Sequence, residues 1–295
     1  AVKKTNRPEP ELLEELLDAN QPSRVLELLQ GVRNKDAQLR FLEGEAYRQL
    51  GSFEKAIASY AASLQICESA EGRMDALLAL AACYRTLGHS AAAYEMGQDA
   101  LQMAQELEMD DYLVRSMQEM GMALRAWGRL EEALELLDAV LSYYQEQKDW
   151  AGMSFICWAK GGIFRLQGHF EDGIKQFKDA IRLAKKAGDE INLAYGYCGL
   201  AGISRICGKI DDCVKNYKLA EKIFRKTQDV FGKAYTNCGM ANGLRQQGKY
   251  DEALRHYNAA DKLYSSINDT VDLGFVKWGR ADILKRKNKL AEALK

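Results

Sequence analysis

Gly88, Gly128, Gly168, Gly208 and Gly248 stand 40 residues apart; Gly51 precedes them by 37, and Asn288 continues the series after another 40. A single compact core imposes no such period. Stacked copies of one supersecondary unit do, because each copy buries its apolar face only against its neighbours. The segments opening on these residues align as GSFEKAI, GHSAAAY, GRLEEAL, GHFEDGI, GKIDDCV, GKYDEAL and NKLAEAL. Seven residues before each turn residue stands a small one (Gly44, Ala81, Gly121, Gly161, Ala201, Ala241, Ala281). Five residues after it stands another (Ala56, Ala93, Ala133, Gly173, Cys213, Ala253, Ala293).

Composition says what the units are made of. The prolines are Pro8, Pro10 and Pro22, and none follows to Lys295. A chain that long without its strongest helix breaker, rich in Ala, Leu, Glu and Lys, favours helix. A helix that closes on a left-handed glycine and is followed at once by a second helix accounts for each turn. The other boundary is marked by Asp149, Asp189, Asp229 and Asp269, again 40 apart, which suit N-caps of the following helix. Each repeat is then expected to be two helices of roughly 16–18 residues, about 25 Å long. Residues 11–31, with ELLEELLD and then SRVLELLQ, predict a short helical cap.

Small residue, seven-residue gap, Gly, aromatic or aliphatic residue, then an Ala-rich second helix: this pattern resembles the tetratricopeptide repeat. The 40-residue variety is similar to that of kinesin light chain and the Leu-Gly-Asn repeat proteins. The resemblance implies an all-α, right-handed superhelical solenoid of about seven antiparallel helix pairs. It divides the chain into a tail and helical cap, 1–34, and repeats, 35–295, the last incomplete. The first helices depart from the family pattern at Glu43, Lys160 and Arg280, where an apolar residue is usual. The missing initiator Met and the stop five residues into a helix predict a piece of a longer protein.

Chemistry signals are few. The seven cysteines are odd in number, contain no CxxC and read as reduced core residues of a cytoplasmic protein. No apolar run is long enough to span a bilayer, so no membrane association is expected. Gly243-Leu-Arg-Gln-Gln-Gly248-Lys249-Tyr250 imitates a phosphate-binding loop, but Tyr250 replaces the magnesium-binding hydroxyl and no strand precedes it. The acidic pairs Glu131/Glu132 and Asp211/Asp212 fall at second-helix starts, where the helix dipole favours them. No catalytic residue, metal site or cofactor is expected, and the chain is not read as an enzyme.

Two patterns point instead to binding. Three residues before each turn stand Arg48, Arg85, Arg125, Arg165, Arg205, Arg245 and Lys285. Guanidinium forks suit carboxylates and phosphates; alternatively each Arg pairs with carboxylates of its own or the neighbouring repeat. Ten residues before successive arginines come Phe155, Tyr195 and Tyr235, with Phe275 continuing; Trp158 and Trp278 stand one turn later. This stripe belongs to the basic half: residues 1–150 carry 15 Lys/Arg and 26 Asp/Glu, residues 151–295 carry 26 and 16. Aromatics and Arg are hot-spot types, although each aromatic equally suits inter-repeat core. The family resemblance implies that these faces line a concave groove. The expected function is a non-catalytic protein–protein interaction scaffold holding an acidic extended or helical peptide against Phe155, Trp158, Arg165, Tyr195, Arg205, Tyr235, Arg245, Phe275 and Trp278. The alternatives are a ligand- or partner-sensing regulatory domain of a larger signalling protein, and RNA or other nucleic-acid binding through the arginines. The near-neutral total charge argues against the last. Opposite charge in the two halves also predicts weak head-to-tail self-association.

Overall fold

The architecture is that of a computed structural model, which describes residues 7–293. Among them every regular element is an α-helix. The chain divides into two compact units, 1–140 and 141–295.

The first unit opens with two short helices, α1 (Pro10–Asp18) and α2 (Pro22–Gln30). Each carries Pro in its first turn, where the missing N–H costs nothing. Leu13, Leu17, Val25 and Leu29 close with Leu39, Leu42 and Ala46 into a small core. Helix pairs follow: α3 (Ala37–Gln49) with α4 (Phe53–Ile66), α5 (Ala70–Thr86) with α6 (Ser90–Glu106), and α7 (Asp110–Trp127) leading to α8 (Leu130–Gln147), within which the division falls. The second unit contains α9 (Trp150–Gln167), α10 (Phe170–Ala187), α11 (Glu190–Ile206), α12 (Ile210–Phe224), α13 (Val230–Gln246), α14 (Tyr250–Ser266), α15 (Thr270–Arg286) and α16 (Leu290–Ala293).

The turn chemistry is as the spacing predicts. Gly51, Gly88, Gly128, Gly168, Gly208 and Gly248 all have φ between 71° and 84°, and Asn288 takes 59°. Each closes a first helix by donating its N–H to the carbonyl three residues back, as Gly248 does to Arg245. At the other boundary the side chains of Asp149, Asp189, Asp229 and Asp269 accept from the backbone N–H three residues on, at 2.6–3.0 Å. Each such cap contributes about 1 kcal/mol.

Small residues sit where helices touch. Ala56, Ala93, Ala133, Cys213 and Ala253 are 0% exposed. Nine residues after the turn, a large side chain from the second helix inserts between first helices. Phe177 lies against both Gly161 and Gly199, Tyr217 against Gly239, and Tyr257 against Gly279, where an added Cβ would collide with each ring. In α6 this position is itself a glycine, Gly97, and the first helix that follows carries Glu119 in place of the facing glycine.

The three polar departures are each engaged. Buried Glu43 takes Lys35 at 2.5 Å and Arg40 at 3.2 Å. Arg280 pairs with Asp261 at 2.8 Å. Lys160 is 9% exposed and also partnered.

Candidate partner-binding site

All nine stripe residues belong to the second unit, on first helices α9, α11, α13 and α15. Phe155, Trp158 and Arg165 share one side of α9, since offsets of three and ten residues return within about 80° at 3.6 residues per turn. The aromatics are not equivalent. Phe155 packs on Trp158 with centroids 5.7 Å apart, and Trp158 meets Tyr195 edge-on at 6.0 Å. Tyr195 continues to Phe224 at 5.1 Å and donates its hydroxyl to Asp229 Oδ2 at 2.8 Å, the carboxylate that caps α13. Burial and that neighbouring carboxylate push the Tyr195 hydroxyl far above its ordinary range, so it remains a donor. Tyr235 is half-buried and stacks on Phe231. Trp278 and Phe275 are 62% and 63% exposed, and the Arg245 guanidinium lies 4.9 Å over the Trp278 ring. Thus Phe155, Trp158 and Tyr195 form one continuous cluster, Arg245 joins Trp278, and Tyr195 and Tyr235 are partly core.

The arginines divide more sharply. Arg48 bonds Glu45 on its own helix at 2.5 Å. Arg85 reaches Glu119 of the next first helix at 3.2 Å. Arg245 pairs with Asp282 of the next first helix, and Arg286 shares that carboxylate at 3.0 Å. Arg125 is also engaged. The acids that arrive from the next repeat stand nine (Glu119) and six (Asp282) residues before its turn residue. Opposite Arg165 those two positions are Gly199 and Gly202; opposite Arg205 they are Gly239 and Asn242. Half-buried Arg165 and Arg205 accordingly have no carboxylate partner among the described residues.

Gly199 and Gly239 follow from packing, because Phe177 and Tyr217 occupy the space a side chain would need. The inserted aromatic ring thereby removes the acid that Arg85 enjoys. Sequence reasoning placed the arginines in a column but did not separate the paired rungs from the open ones. The signal was present: six residues before the turn the column reads Glu45, Ala82, Met122, Gly162, Gly202, Asn242 and Asp282.

Other chemistry is quiet. Burial pushes the thiols of Cys83, Cys157, Cys213 and Cys238 up to about 11, and that of Cys198 up to about 12, so these sulfurs stay protonated. Glu132 is taken by Arg129, and Asp211 accepts from Gln247 at 2.7 Å. No helix among the described residues is long and apolar enough to cross a membrane. In the first unit a cleft of about 870 Å³ is lined by Glu14, Asp18, Phe41, Glu45, Arg48 and Asp75 among others. Its central acids are internally matched: Glu45 by Arg48 and Tyr60, Asp75 by Arg115 and Tyr112. Unmet charge favours the second unit, because a satisfied acid must break its own pair to bind.

Comparison with known proteins agrees with the repeat geometry. A tetratricopeptide-repeat family matches residues 37–69, and the family described as anaphase-promoting complex subunit 5 matches residues 69–126 and 129–203. No curated protein sequence matches the chain. Among solved structures, a Rap protein complexed with competence and sporulation factor is 14% identical with a TM-score of 0.67, over 93% of this chain and 81% of that one. NprR in complex with its cognate peptide NprX is 14% identical with a TM-score of 0.67, over 100% and 89%. Aspartyl phosphate phosphatase F from Bacillus subtilis is 15% identical with a TM-score of 0.66, over 99% and 83%. At these identities the likeness is one of fold.

Proposed function

Because this chain is a protein of the tetratricopeptide-repeat superfamily, we propose that it is a non-catalytic scaffold whose second unit holds an acidic, extended or helical peptide of a partner protein. One observation carries the reading: Arg165 and Arg205 stand in a column in which Arg48, Arg85 and Arg245 take carboxylates, yet the positions that would supply theirs from the next repeat are Gly199, Gly202, Gly239 and Asn242. An arginine kept half-buried without an acid loses hydration and gains nothing within the chain; a partner's carboxylate restores the balance through charge-assisted bonds. The Phe155–Trp158–Tyr195 cluster supplies apolar area beside those charges. The fold supports peptide binding by analogy alone, since solved structures of this shape include one complexed with a cognate peptide. The same analogy supports a second reading, in which the bound peptide is a signal and the chain the sensing part of a larger regulator.

The test is fluorescence anisotropy with a labelled pool of Asp/Glu-rich decapeptides. Wild type should bind the pool, and Arg165→Glu with Arg205→Glu should weaken it thirtyfold or more, about 2 kcal/mol. Arg48→Ala, whose rung is internally paired, should bind as wild type does. A double variant that binds the pool unchanged overturns the assignment. Loss confined to Arg48→Ala moves the site to the first unit.

A further inference from the structure

Three tyrosines occupy one register, nine residues after the turn glycine: Tyr60, Tyr217 and Tyr257. Each hydroxyl is directed at the position six residues before that same turn. Tyr60 donates to Glu45, and Tyr257 donates to Asn242 Oδ1 at 2.7 Å. Tyr217 faces Gly202 instead. A Cβ placed on Gly202 would lie 3.8 Å from Tyr217 Oη and 2.9 Å from Arg165 Nη1, and meet no other atom within 4 Å. Tyr217 is 4% exposed, and its hydroxyl has no hydrogen-bond partner among the described residues. Arg205 lies close enough for its charge to act on the same hydroxyl.

The protein contains its own template for what such a notch takes. At the first of the three tyrosines, the Glu45 carboxylate receives Arg48 and Tyr60 together. At the last repeat, Asp282 occupies the position equivalent to Gly202 and receives Arg245, the counterpart of Arg165. The second unit thus presents Tyr217, the counterpart of Tyr60, and Arg165, the counterpart of Arg245, around a position with no side chain.

We propose that the notch over Gly202 is a carboxylate subsite, in which Arg165 and the Tyr217 hydroxyl jointly bind one carboxylate of the partner peptide. The inference rests on the reading that the second unit binds an acidic peptide, and adds where one acid goes and which atoms hold it. Burial keeps the Tyr217 hydroxyl protonated far above neutral pH, so it can only donate to an anion. A carboxylate in the notch accepts from the hydroxyl with one oxygen and from Nη1 with the other. It supplies an acceptor to a hydroxyl that no group among the described residues meets, and the loss of that bond is what makes a subsite selective against uncharged residues. The acid comes from a side chain or from a peptide C-terminus; both present the same group.

The experiment fills the notch from within. Gly202→Asp places an acid where the last repeat has Asp282, and Arg165 Nη1, the end of a flexible side chain, can yield to the new Cβ. Melting temperature and anisotropy of the labelled acidic decapeptide pool are read together. Gly202→Asp should melt at or above wild type and bind the pool at least tenfold more weakly. Tyr217→Phe should melt as wild type does, because its hydroxyl serves no internal partner, and lose about tenfold in affinity. Asn258→Asp adds one negative charge at an exposed position of α14 and should leave binding unchanged. Pools with free and amidated C-termini distinguish the source: loss on amidation assigns the subsite to a terminus, retention to a side chain. If Gly202→Asp and Tyr217→Phe bind as wild type while Arg165→Glu/Arg205→Glu does not, the subsite is wrong and the broader reading stands. If Asn258→Asp weakens binding as much as Gly202→Asp, bulk charge explains the loss and the subsite is again overturned. A wild type that does not bind the pool overturns both.

Discussion

Gly44 and Gly274 both lie inside first helices, and the same substitution should move stability in opposite directions. A Cβ on Gly44 would sit 2.6, 2.7 and 3.0 Å from Cε1, Cδ1 and Cζ of Tyr60. Carbon atoms attract at about 3.5–4.0 Å, so the ring must retreat by roughly 1 Å. It has little freedom to do so. Tyr60 is 0% exposed, its hydroxyl is fixed to Glu45, and Phe41 packs on it with centroids 5.3 Å apart. Overpacking of this kind costs about 1–3 kcal/mol, against roughly 1 kcal/mol gained by replacing a helical Gly with Ala. Gly274 meets nothing within 4 Å and is exposed, so there only the gain applies. Gly44→Ala should therefore destabilise by up to about 2 kcal/mol, and Gly274→Ala should stabilise by about 1 kcal/mol. In units of this size each kcal/mol shifts the melting temperature by about 3–4 °C. Helical circular dichroism against urea and temperature reads both variants. Adding Tyr60→Leu to Gly44→Ala should recover part of the loss, with a coupling energy of about 0.5–3 kcal/mol. A Gly44→Ala protein stabilised as much as Gly274→Ala refutes the claim that this glycine exists for the Tyr60 ring.

Two further outcomes are expected. Burial, with Asp269 alongside, pushes the Asp272 carboxyl up from 3.8 to about 6. The folded form then holds a proton that the unfolded chain releases between those values, so stability falls as pH rises through that window. Asp272→Asn should raise the melting temperature more near pH 7.5 than near pH 4, and an equal shift at both contradicts this. The opposite charge of the two halves should give faster sedimentation at about 0.01 M than at about 1 M salt, where the screening length shrinks from roughly 30 Å to 3 Å. An identical monomer in both conditions rules out head-to-tail association.

The fold was legible because its rules are local. Left-handed turn residues and aspartate caps act within a few residues of themselves, so Gly128 and Asp149 declare their roles in any copy of the repeat. The site was legible only as residue types. Whether an arginine is free depends on a residue of the next repeat, and that residue depends on the ring inserted beside it. Arg165 and Arg85 look alike in sequence until Gly199 is set against Glu119. Tyr195 was legible as an aromatic, but its hydroxyl is committed to the Asp229 cap, a contact between helices that spacing alone does not reveal. Tyr217 and Gly202 went unnoticed because a lone Tyr and a helical Gly each look like packing.

The match between an inserted ring and a facing glycine also bears on how such a chain could be rearranged. Phe177, Tyr217 and Tyr257 each face a glycine contributed by the following repeat, whereas Gly97 is followed by Glu119. A crossover joining the Phe177 helix to the Glu119 helix would drive a carboxylate into an aromatic ring, and the converse joint, Gly97 to Gly199, would leave a void. The heritable module is therefore not only the helix pair joined by one turn glycine. The inserted ring ties its second helix both to its own first helix, as Phe177 to Gly161, and to the next, as Phe177 to Gly199, so any viable duplication, deletion or transplant of this chain should carry a matched ring and facing residue across each new joint.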